Sequence, residues 1–278
     1  MKYKTNEQHA EVMKLHSNGM RIVDIVSLTG LTRSCVNNWI NRGSKIHGNT
    51  AQLKYSRLDP ENPIDSLRIK TSSDDADKIY SAYSFVLGMY LGDGCVSKVG
   101  RTKSLQIALD LKYNKLNEYV VDQLTVLFGK KPYILDRNMD RGQKNKSNSL
   151  DVKVYSIDMG ILFPHEGSGA KHLRKIELTE WQKRIINPSQ LVKGLMMSDG
   201  SYFHCNTYNR DNYSFCNASK DICRILTEML DILGIKYNSH TKKKIGVKGT
   251  VLKTHVNVNR REEVKKLHDL IGDKNQIV

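Results

Sequence analysis

Apolar positions along the chain follow a pattern that occurs twice. From residue 76 to 163 their spacing predicts the order helix, two strands, helix, two strands, helix, and this order returns from 188 to 271. The segment LQIALDL, for example, places Leu105, Ile107 and Leu109 on one face of a strand. The chain is therefore predicted to be an α+β protein built from tandem αββαββα repeats.

The predicted elements have similar lengths in the two copies. Helices are expected at residues 76–92, 114–128 and 157–163, and again at 188–198, 219–233 and 261–271. Strands are expected at 93–99, 104–111, 132–137 and 150–156, and at 200–206, 212–217, 236–242 and 251–258. Antiparallel sheets commonly cover one face with a core and leave the other open. Two such repeats, related by a pseudo-twofold axis, are expected to form a saddle that suits a long polyanion.

Residues 6–42 show a different pattern, that of three short helices. Gly30 and Leu31 make a tight turn before the third helix, which Thr32 caps. The segment resembles a helix-turn-helix of the recombinase or resolvase type, in which the third helix enters the major groove of DNA. The resemblance implies that five side chains of this helix face DNA: Arg33, Ser34, Asn37, Asn38 and Arg42. A small helical bundle that binds protein is the alternative.

Pro60 and Pro63 lie in a segment without a sustained period, which indicates a linker. The basic residues in this segment leave open that it docks on a domain or follows DNA. The chain is accordingly divided into a helix-turn-helix domain (1–45), a linker (46–75), a first repeat (76–165), a connection (166–187) and a second repeat (188–278).

Charge narrows the range of partners. The 278 residues include 44 Lys and Arg against 29 Asp and Glu, a formal net charge of +15. Because the basic residues are clustered, this excess favours a polyanionic partner, DNA first, over a charge that serves only solubility. No apolar run is long enough to span a membrane, and the first residues lack the apolar core of a secretory signal. We therefore expect a cytoplasmic protein of a bacterium or a phage-infected cell.

The five cysteines include no CxxC pair, which fits a reducing compartment. His204, Cys205, Cys216 and Cys223 lack the closely spaced ligand pairs of most zinc sites. A structural zinc ion is therefore not favoured.

Each repeat opens with a helix that ends in an aspartate beside a glycine, Asp93 in LGMYLGDG and Asp199 in KGLMMSDG. Small residues four positions apart share one face of each helix, and such faces allow two helices to approach closely. These small residues are Gly88 and Gly92 in the first helix, and Gly194 and Ser198 in the second. The two helices are therefore predicted to pack on each other and to end together.

This packing would bring the carboxylates of Asp93 and Asp199 side by side. Two adjacent carboxylates repel each other unless a cation lies between them, and helix-end carbonyls add further negative charge. Mg²⁺ is the expected occupant. A divalent cation beside a surface that binds DNA indicates phosphodiester hydrolysis, because a bound metal activates water and stabilises the leaving oxygen.

The segments FVLGMYLGDG and QLVKGLMMSDG resemble the paired motifs of the single-chain LAGLIDADG homing endonucleases, and the resemblance covers residues 76–278. It implies site-specific cleavage of both DNA strands across the minor groove, with short 3′ overhangs. It also implies that Asp93 and Asp199 bind the metal together with the backbone carbonyls of Gly92 and Ser198. Mg²⁺ is the implied cofactor, Mn²⁺ is expected to substitute for it, and Ca²⁺ is expected to bind without supporting cleavage.

The chain departs from the family motif at one position. The motif has an earlier acidic residue, and this chain has Leu91 there in the first copy and Met197 in the second. Members of the family vary at this position. The family often adds a basic residue near the scissile phosphate, and contact with the phosphate backbone is the alternative role for such a residue. The candidates are Lys171, Arg174, Lys175 and Lys274.

Basic hairpins are predicted at equivalent places in both repeats, as expected for a surface that wraps DNA. Their basic residues are Arg137, Arg141, Lys144 and Lys146 in the first repeat, and Lys242, Lys243, Lys244, Lys248 and Lys253 in the second. Polar strand residues are candidates for contacts with base edges. They are Gln106, Tyr202, His204, Asn206, Tyr213 and Asn217.

Three functions are compatible with these features. A site-specific DNA endonuclease is favoured because both Asp93 and Asp199 are present. The alternatives are a non-cleaving transcriptional regulator on the same fold and an intron RNA maturase, against which the helix-turn-helix argues. The expected partner is double-stranded DNA with a long target, pseudo-palindromic or asymmetric, bound by a monomer. The chain ends lack intein splice-junction residues, so an intein is not expected.

Overall fold

The computed structural model describes residues 6–41, 58–71, 75–137, 148–167, 169–246 and 249–277. The chain forms two compact units, Met1–Arg57 and Leu58–Val278. Within the described ranges, no helix is both long and apolar enough to cross a membrane.

The N-terminal unit is helical. Its helices are α1 (Asn6–Ser17), α2 (Ile22–Thr29) and α3 (Arg33–Asn41). Helix α2 ends at Gly30, whose left-handed backbone (φ 64°) allows its N–H to donate to Val26 O. The three helices share a small core of Val12, Ile25, Leu31, Cys35, Val36 and Trp39.

The segment predicted to be a linker contains a helix, α4 (Pro63–Thr71). Proline is common in linkers, but it is also well suited to the first turn of a helix, where its missing N–H costs nothing. Ile64 and Leu67 are buried in the same core as the first repeat, and the Tyr80 hydroxyl donates to Asp65 Oδ1 at 2.7 Å. The short helix is therefore part of the larger unit.

Both repeats have the predicted order of elements. The first contains α5 (Ala76–Leu91), β1 (Gly94–Val99), β2 (Thr102–Asp110), α6 (Asn114–Phe128), β3 (Tyr133–Asp136), β4 (Ser149–Ser156) and α7 (Met159–Leu162). The second contains α9 (Pro188–Asp199), β5 (Gly200–Cys205), β6 (Arg210–Asn217), α10 (Lys220–Ile232), β7 (Asn238–Gly246), β8 (Gly249–Val258) and α11 (Arg261–Ile271). Helix α8 (Glu180–Ile185) lies in the connection between them.

Each repeat contains one antiparallel sheet of four strands, in the orders β1-β2-β4-β3 and β5-β6-β8-β7. One face of each sheet is buried against the core, as shown by Ile107 and Val152 in the first and by Phe215 and Val256 in the second. Side chains at alternate positions lie on the opposite face, which we call the open face. The predicted α+β fold of tandem αββαββα repeats is confirmed.

The connection between the repeats is fastened to the first motif helix. The side chain of Gln182 in α8 donates to the Tyr83 hydroxyl at 2.7 Å, and that hydroxyl donates to Leu162 O at 2.7 Å. Gln182, Tyr83 and Leu162 are all buried. The two hydrogen bonds therefore leave neither the Gln182 nor the Tyr83 side chain unpaired inside the core. Thr179 and Gln182 also form a capping box at the start of α8. The connection thereby fixes where α9 begins.

Candidate active site at the ends of the motif helices

The two motif helices, α5 and α9, lie against each other through their small residues. A Cβ atom built on Gly88 would lie 2.6 Å from Leu191 O and 2.8 Å from Gly194 Cα. One turn away, a Cβ on Gly92 would overlap the side chain of Ser198. At the other end, Ser84 Oγ accepts a hydrogen bond of 2.9 Å from the N–H of Asn187, the residue that caps α9. Backbones can approach this closely only where no side chain projects between them.

This packing brings the two motif aspartates to one place. Asp93 follows α5 after Gly92, and Asp199 is the last residue of α9. A Cβ on Gly92 would lie 3.4 Å from Asp199 Oδ2, so the Asp199 carboxylate lies beside the end of α5. An open cavity of about 340 Å³ adjoins this point, lined by residues that include Gly92, Lys171 and Asn217.

Two lysines contact the ends of the motif helices in a matching way. Lys171 Nζ donates to Tyr90 O, to Leu91 O at 3.0 Å and to Gly92 O at 2.8 Å. Lys274 Nζ donates to Ser198 O at 2.8 Å, the carbonyl that precedes Asp199. A cation at a helix C-terminus is favourable because the free carbonyls there carry partial negative charge. The connection between the repeats thus supplies Lys171 to the end of α5, and the second repeat supplies Lys274 to the end of α9.

The charges of these four groups affect one another. Partial loss of hydration raises the pKa of Asp93, the charge of Asp199 raises it further, and Lys274 and Lys171 lower it. Loss of hydration also raises the pKa of Asp199, opposed by the hydrogen bond from Asn217 and by the two lysines. Burial lowers the pKa of Lys171 to about 8 and also lowers the pKa of Lys274. Loss of hydration is thus the main factor that disfavours the charged form of both carboxylates, and the two lysines offset only part of it.

The available donor atoms suit a hard divalent cation. They are the carboxylate oxygens of Asp93 and Asp199 and the carbonyls of Gly92 and Ser198, which here accept from lysine. Over the described ranges, no group of three or more His, Cys, Asp or Glu side chains is arranged to hold a metal. Mg²⁺ commonly uses only one or two carboxylates and takes its other ligands from water and substrate phosphate. The residues present therefore fit Mg²⁺ and do not form a cage that would hold it without substrate.

Asn217, a candidate for contacts with base edges, belongs to this site instead. Its Nδ2 donates to Asp199 Oδ2 at 2.6 Å, and its Oδ1 accepts from the N–H of Ser219, the residue that caps α10. Because both ends of the amide are engaged, Asn217 fixes the orientation of the Asp199 carboxylate. Alternation along β6 indicates the face of Asn217 but not its partner, since the contact joins the end of β6 to the end of α9.

We expect Asn217→Ala to lower metal-dependent cleavage about tenfold to a hundredfold, because partners that orient a metal ligand typically contribute that much. DNA affinity measured without divalent cation should change little. Asn212→Ala is the matched control, since Asn212 lies on the same strand but donates to Arg210 O. Equal activities of the two variants, measured as single-turnover cleavage rates, would show that Asn217 does not support Asp199.

The other predicted basic residues of the site lie in different surroundings. Arg174 Nη1 donates to Gly167 O and, at 3.4 Å, to Gly169 O, so it braces the loop that carries Lys171. Lys175 pairs with Glu177 at 2.6 Å, and its side chain is 78 % exposed. Arg174 lines the cavity, whereas Lys175 does not. Lys171 and Lys274 are thus the two predicted lysines that the structure brings to the carboxylates.

The predicted DNA-contacting residues are distributed over both units. Arg33, Ser34 and Asn37 are exposed on α3, and Asn38 belongs to the same helix. Lys242 and Lys253 are paired in register on the open face of the second sheet, while Lys243 belongs to its other face. Lys244 belongs to β7, and Arg137 follows β3. The remaining residues lie outside the described ranges: Arg42, Arg141, Lys144, Lys146 and Lys248.

Most of the strand residues proposed to read bases face the wrong way. Gln106 lies on the open face, paired with Cys95 and Lys153, and Asn206 lies in the turn after β5. The others share the core-side face of the second sheet with Phe215: Tyr202, His204, Tyr213 and Asn217. Tyr213 is 2 % exposed, and its hydroxyl donates to Gly272 O at 2.5 Å. Tyr213 and Asn217 are therefore corrected from base contacts to a structural and a site-supporting role, while Tyr202 and His204 are exposed on that same face.

Residues 188–272, from the start of α9 to the end of α11, match the family model of the LAGLIDADG-like domain. The match covers nearly the whole of the second repeat. The first repeat has the same order of elements and strands, and its motif helix packs on that of the second. The family model thus supports the LAGLIDADG resemblance in the second repeat, and the first repeat shares the αββαββα order of that repeat.

A curated relative is the uncharacterized protein MJ1054 of Methanocaldococcus jannaschii, which is 23 % identical over 202 residues. The match covers 71 % of this chain but only 22 % of that protein, so the chain spans about a fifth of its relative.

Several solved structures are similar to this chain. Mesophilic variants of the homing endonuclease I-DmoI align with 17 % identity and a TM-score of 0.47, covering 70 % of this chain and 92 % of theirs. I-DmoI in complex with DNA and Mn aligns with 17 % identity and a TM-score of 0.46, covering 69 % and 97 %. The N-terminal LAGLIDADG domain of DUF199/WhiA aligns with 13 % identity and a TM-score of 0.42, covering 70 % and 82 %.

Proposed function

We propose that this protein is a site-specific endonuclease that uses a divalent metal to hydrolyse one phosphodiester on each strand of a DNA duplex. The observation that carries this proposal is the meeting of Asp93 and Asp199 at the joined ends of two glycine-packed helices, with Lys171 and Lys274 on the adjoining carbonyls. One chain supplies both motifs, so it acts as a monomer. The cuts leave short 3′ overhangs, as in the LAGLIDADG endonucleases that the motifs resemble.

The residues of the site have separate tasks. Asp93 and Asp199 hold Mg²⁺, or Mn²⁺ in its place, and Asn217 keeps the Asp199 carboxylate in one orientation. A metal bound there would lower the pKa of a coordinated water and stabilise the leaving oxygen. Lys171 and Lys274 place positive charge where the negative charge of the reacting phosphate increases, and they hold the helix ends in register. Ca²⁺ occupies the same ligands without supporting cleavage.

The rest of the chain binds the duplex. The open faces of the two sheets present Arg137 and Lys153 in the first repeat, and Lys242 and Lys253 in the second. Positive side chains on a polar, solvent-facing sheet suit the phosphates and base edges of a major groove. The N-terminal unit, with Arg33, Ser34 and Asn37 exposed on α3, supplies a second contact to DNA.

A cleavage selection on a library of randomised DNA duplexes tests this proposal. The full chain is incubated with the library in Mg²⁺ or in EDTA, and the cut ends are captured and sequenced. We expect double-strand cuts with 3′ overhangs at one long motif, in Mg²⁺ alone. Sequence-specific binding without cutting in Mg²⁺ or Mn²⁺ would instead indicate a regulator on the same fold. Preference for structured RNA over every duplex would indicate a maturase.

A further inference from the structure

The open face of the first sheet carries an ion pair between Arg137 and Asp151. Arg137 Nη2 donates to Asp151 Oδ1 at 2.5 Å, and Lys153 Nζ lies 3.9 Å from the other carboxylate oxygen. Asp151 alternates with Leu150 and Val152, which are buried in the core, so its side chain lies on the opposite face. The N–H of Arg137 donates to Ser149 O, which continues the β3–β4 register to Arg137.

The two partners differ sharply in exposure. The Asp151 side chain is only 5 % exposed, whereas that of Arg137 is 42 % exposed. A carboxylate enclosed in this way is not placed to contact a ligand itself. Its hydrogen bond instead fixes the orientation of the guanidinium that covers it. Guanidinium has five N–H donors, so the contact to Asp151 leaves donors of Arg137 directed to solvent. Arg137 is therefore a pre-oriented donor on the face proposed to meet the major groove.

The second sheet has different chemistry at the equivalent positions. Strand pairing aligns the row Gly94, Ile107, Val152, Ile134 with the row Gly200, Phe215, Val256, Ser239. This alignment places His255 at the position of Asp151 and Lys242 at that of Arg137. His255 stacks on His240, with ring centroids 5.1 Å apart and planes 4° apart. The matched positions thus offer a braced arginine in one repeat and a lysine beside paired imidazoles in the other.

We propose that Arg137, held in place by Asp151, recognises a guanine in the half of the DNA target that the first repeat binds. Arginine donates to O6 and N7 of guanine as a fork, which is the commonest specific contact in the major groove. Because Lys242 and His255 occupy the equivalent positions, the second repeat recognises a different base pattern, and the target is asymmetric. Asp151 is a positioning residue in this account. The inference rests on the proposed binding of duplex DNA but not on cleavage.

Sequencing of bound duplexes from a randomised library, selected with Ca²⁺ in place of Mg²⁺, tests the inference. The full-length wild type is compared with Arg137→Gln, Arg137→Lys, Asp151→Asn and the matched control Lys242→Gln. We expect both Arg137 variants to lose the guanine preference at one position by roughly tenfold or more. Asp151→Asn should weaken the preference at that same position, and Lys242→Gln should leave the whole first half-site unchanged.

A specificity profile separates positioning from simple structural support. If Asp151→Asn lowers affinity equally for all sequences and keeps the guanine preference, the positioning role of Asp151 is overturned. An unchanged profile for both Arg137 variants would overturn the assignment of Arg137, with wild-type DNA binding still intact. A wild-type protein that selects no duplex sequence at all would overturn the proposed function and this inference together.

Discussion

Asp93→Asn is expected to abolish double-strand cleavage in Mg²⁺ and, at the same time, to raise the melting temperature of the metal-free protein. Both effects result from removal of the negative charge of Asp93. The carboxylate lies beside Asp199 and has lost part of its hydration, and these two factors raise its pKa. A group whose charged form is disfavoured in this way makes folding less favourable wherever it is ionised. Asparagine keeps the shape and removes the charge.

The loss of activity should be large. A metal that stabilises charge in the transition state contributes several kcal/mol, so loss of a ligand corresponds to a rate decrease on the order of a thousandfold. Asp199→Asn should have the same effect on cleavage. Binding of the intact duplex without divalent cation should persist, because the site is small compared with the two open sheet faces.

Single-turnover cleavage and thermal melting, each with and without Mg²⁺, measure the two effects. Mg²⁺ should raise the melting temperature of the wild type, because a ligand that binds only the folded state stabilises it. This increase should shrink in Asp93→Asn. Asp122→Asn is the matched control, since Asp122 is exposed on α6 and undergoes the same change of charge. A variant that melts below the wild type in EDTA, or that cleaves normally, would contradict the account of Asp93.

Local patterns were sufficient to predict most of the fold. Alternation in β2 and the glycine spacing of the motif helices are properties of neighbouring residues, and they are retained in the structure. The helix at Pro63–Thr71 is not evident from the sequence, because two prolines mark the segment and only Ile64 and Leu67 supply its buried apolar side chains. That pair has helical spacing, but it becomes informative only once a core exists for it to contact.

Alternation in the sequence indicates which face of the sheet the polar strand residues occupy. In NYSFCN, Tyr213 and Phe215 alternate with polar neighbours, which assigns both to the core side. By the same alternation Asn217 belongs to that side, and it reaches Asp199 because the strand ends there. Sequence patterns do not indicate which of Lys171, Arg174 and Lys175 contacts the end of α5. All three lie in one basic segment, and only the path of that loop past the end of α5 decides which one contacts its carbonyls.

Gly194→Ala is expected to destabilise the protein by about 3 kcal/mol or more and to remove cleavage as a consequence. A Cβ atom at Gly194 would overlap Phe85 O and lie 2.9 Å from Gly88 Cα, and both are backbone atoms that no change of rotamer can move. The two motif helices would have to separate, although alanine itself favours the helix by about 1 kcal/mol over glycine. Since Asp93 and Asp199 are brought together only by this packing, separation of the helices also disperses the metal ligands.

Denaturant unfolding of Gly194→Ala and Gly160→Ala distinguishes this backbone clash from the general effect of adding a methyl group. At Gly160, in α7, a Cβ would meet the ends of the Glu166 and Lys103 side chains at 2.8 Å. Those side chains can turn aside, so Gly160→Ala should change the free energy of unfolding by less than about 1 kcal/mol. Equal, small effects of the two substitutions would show that the helices tolerate a wider spacing. In that case the close contact of Gly88 with Gly194 would not be what holds the two aspartates together.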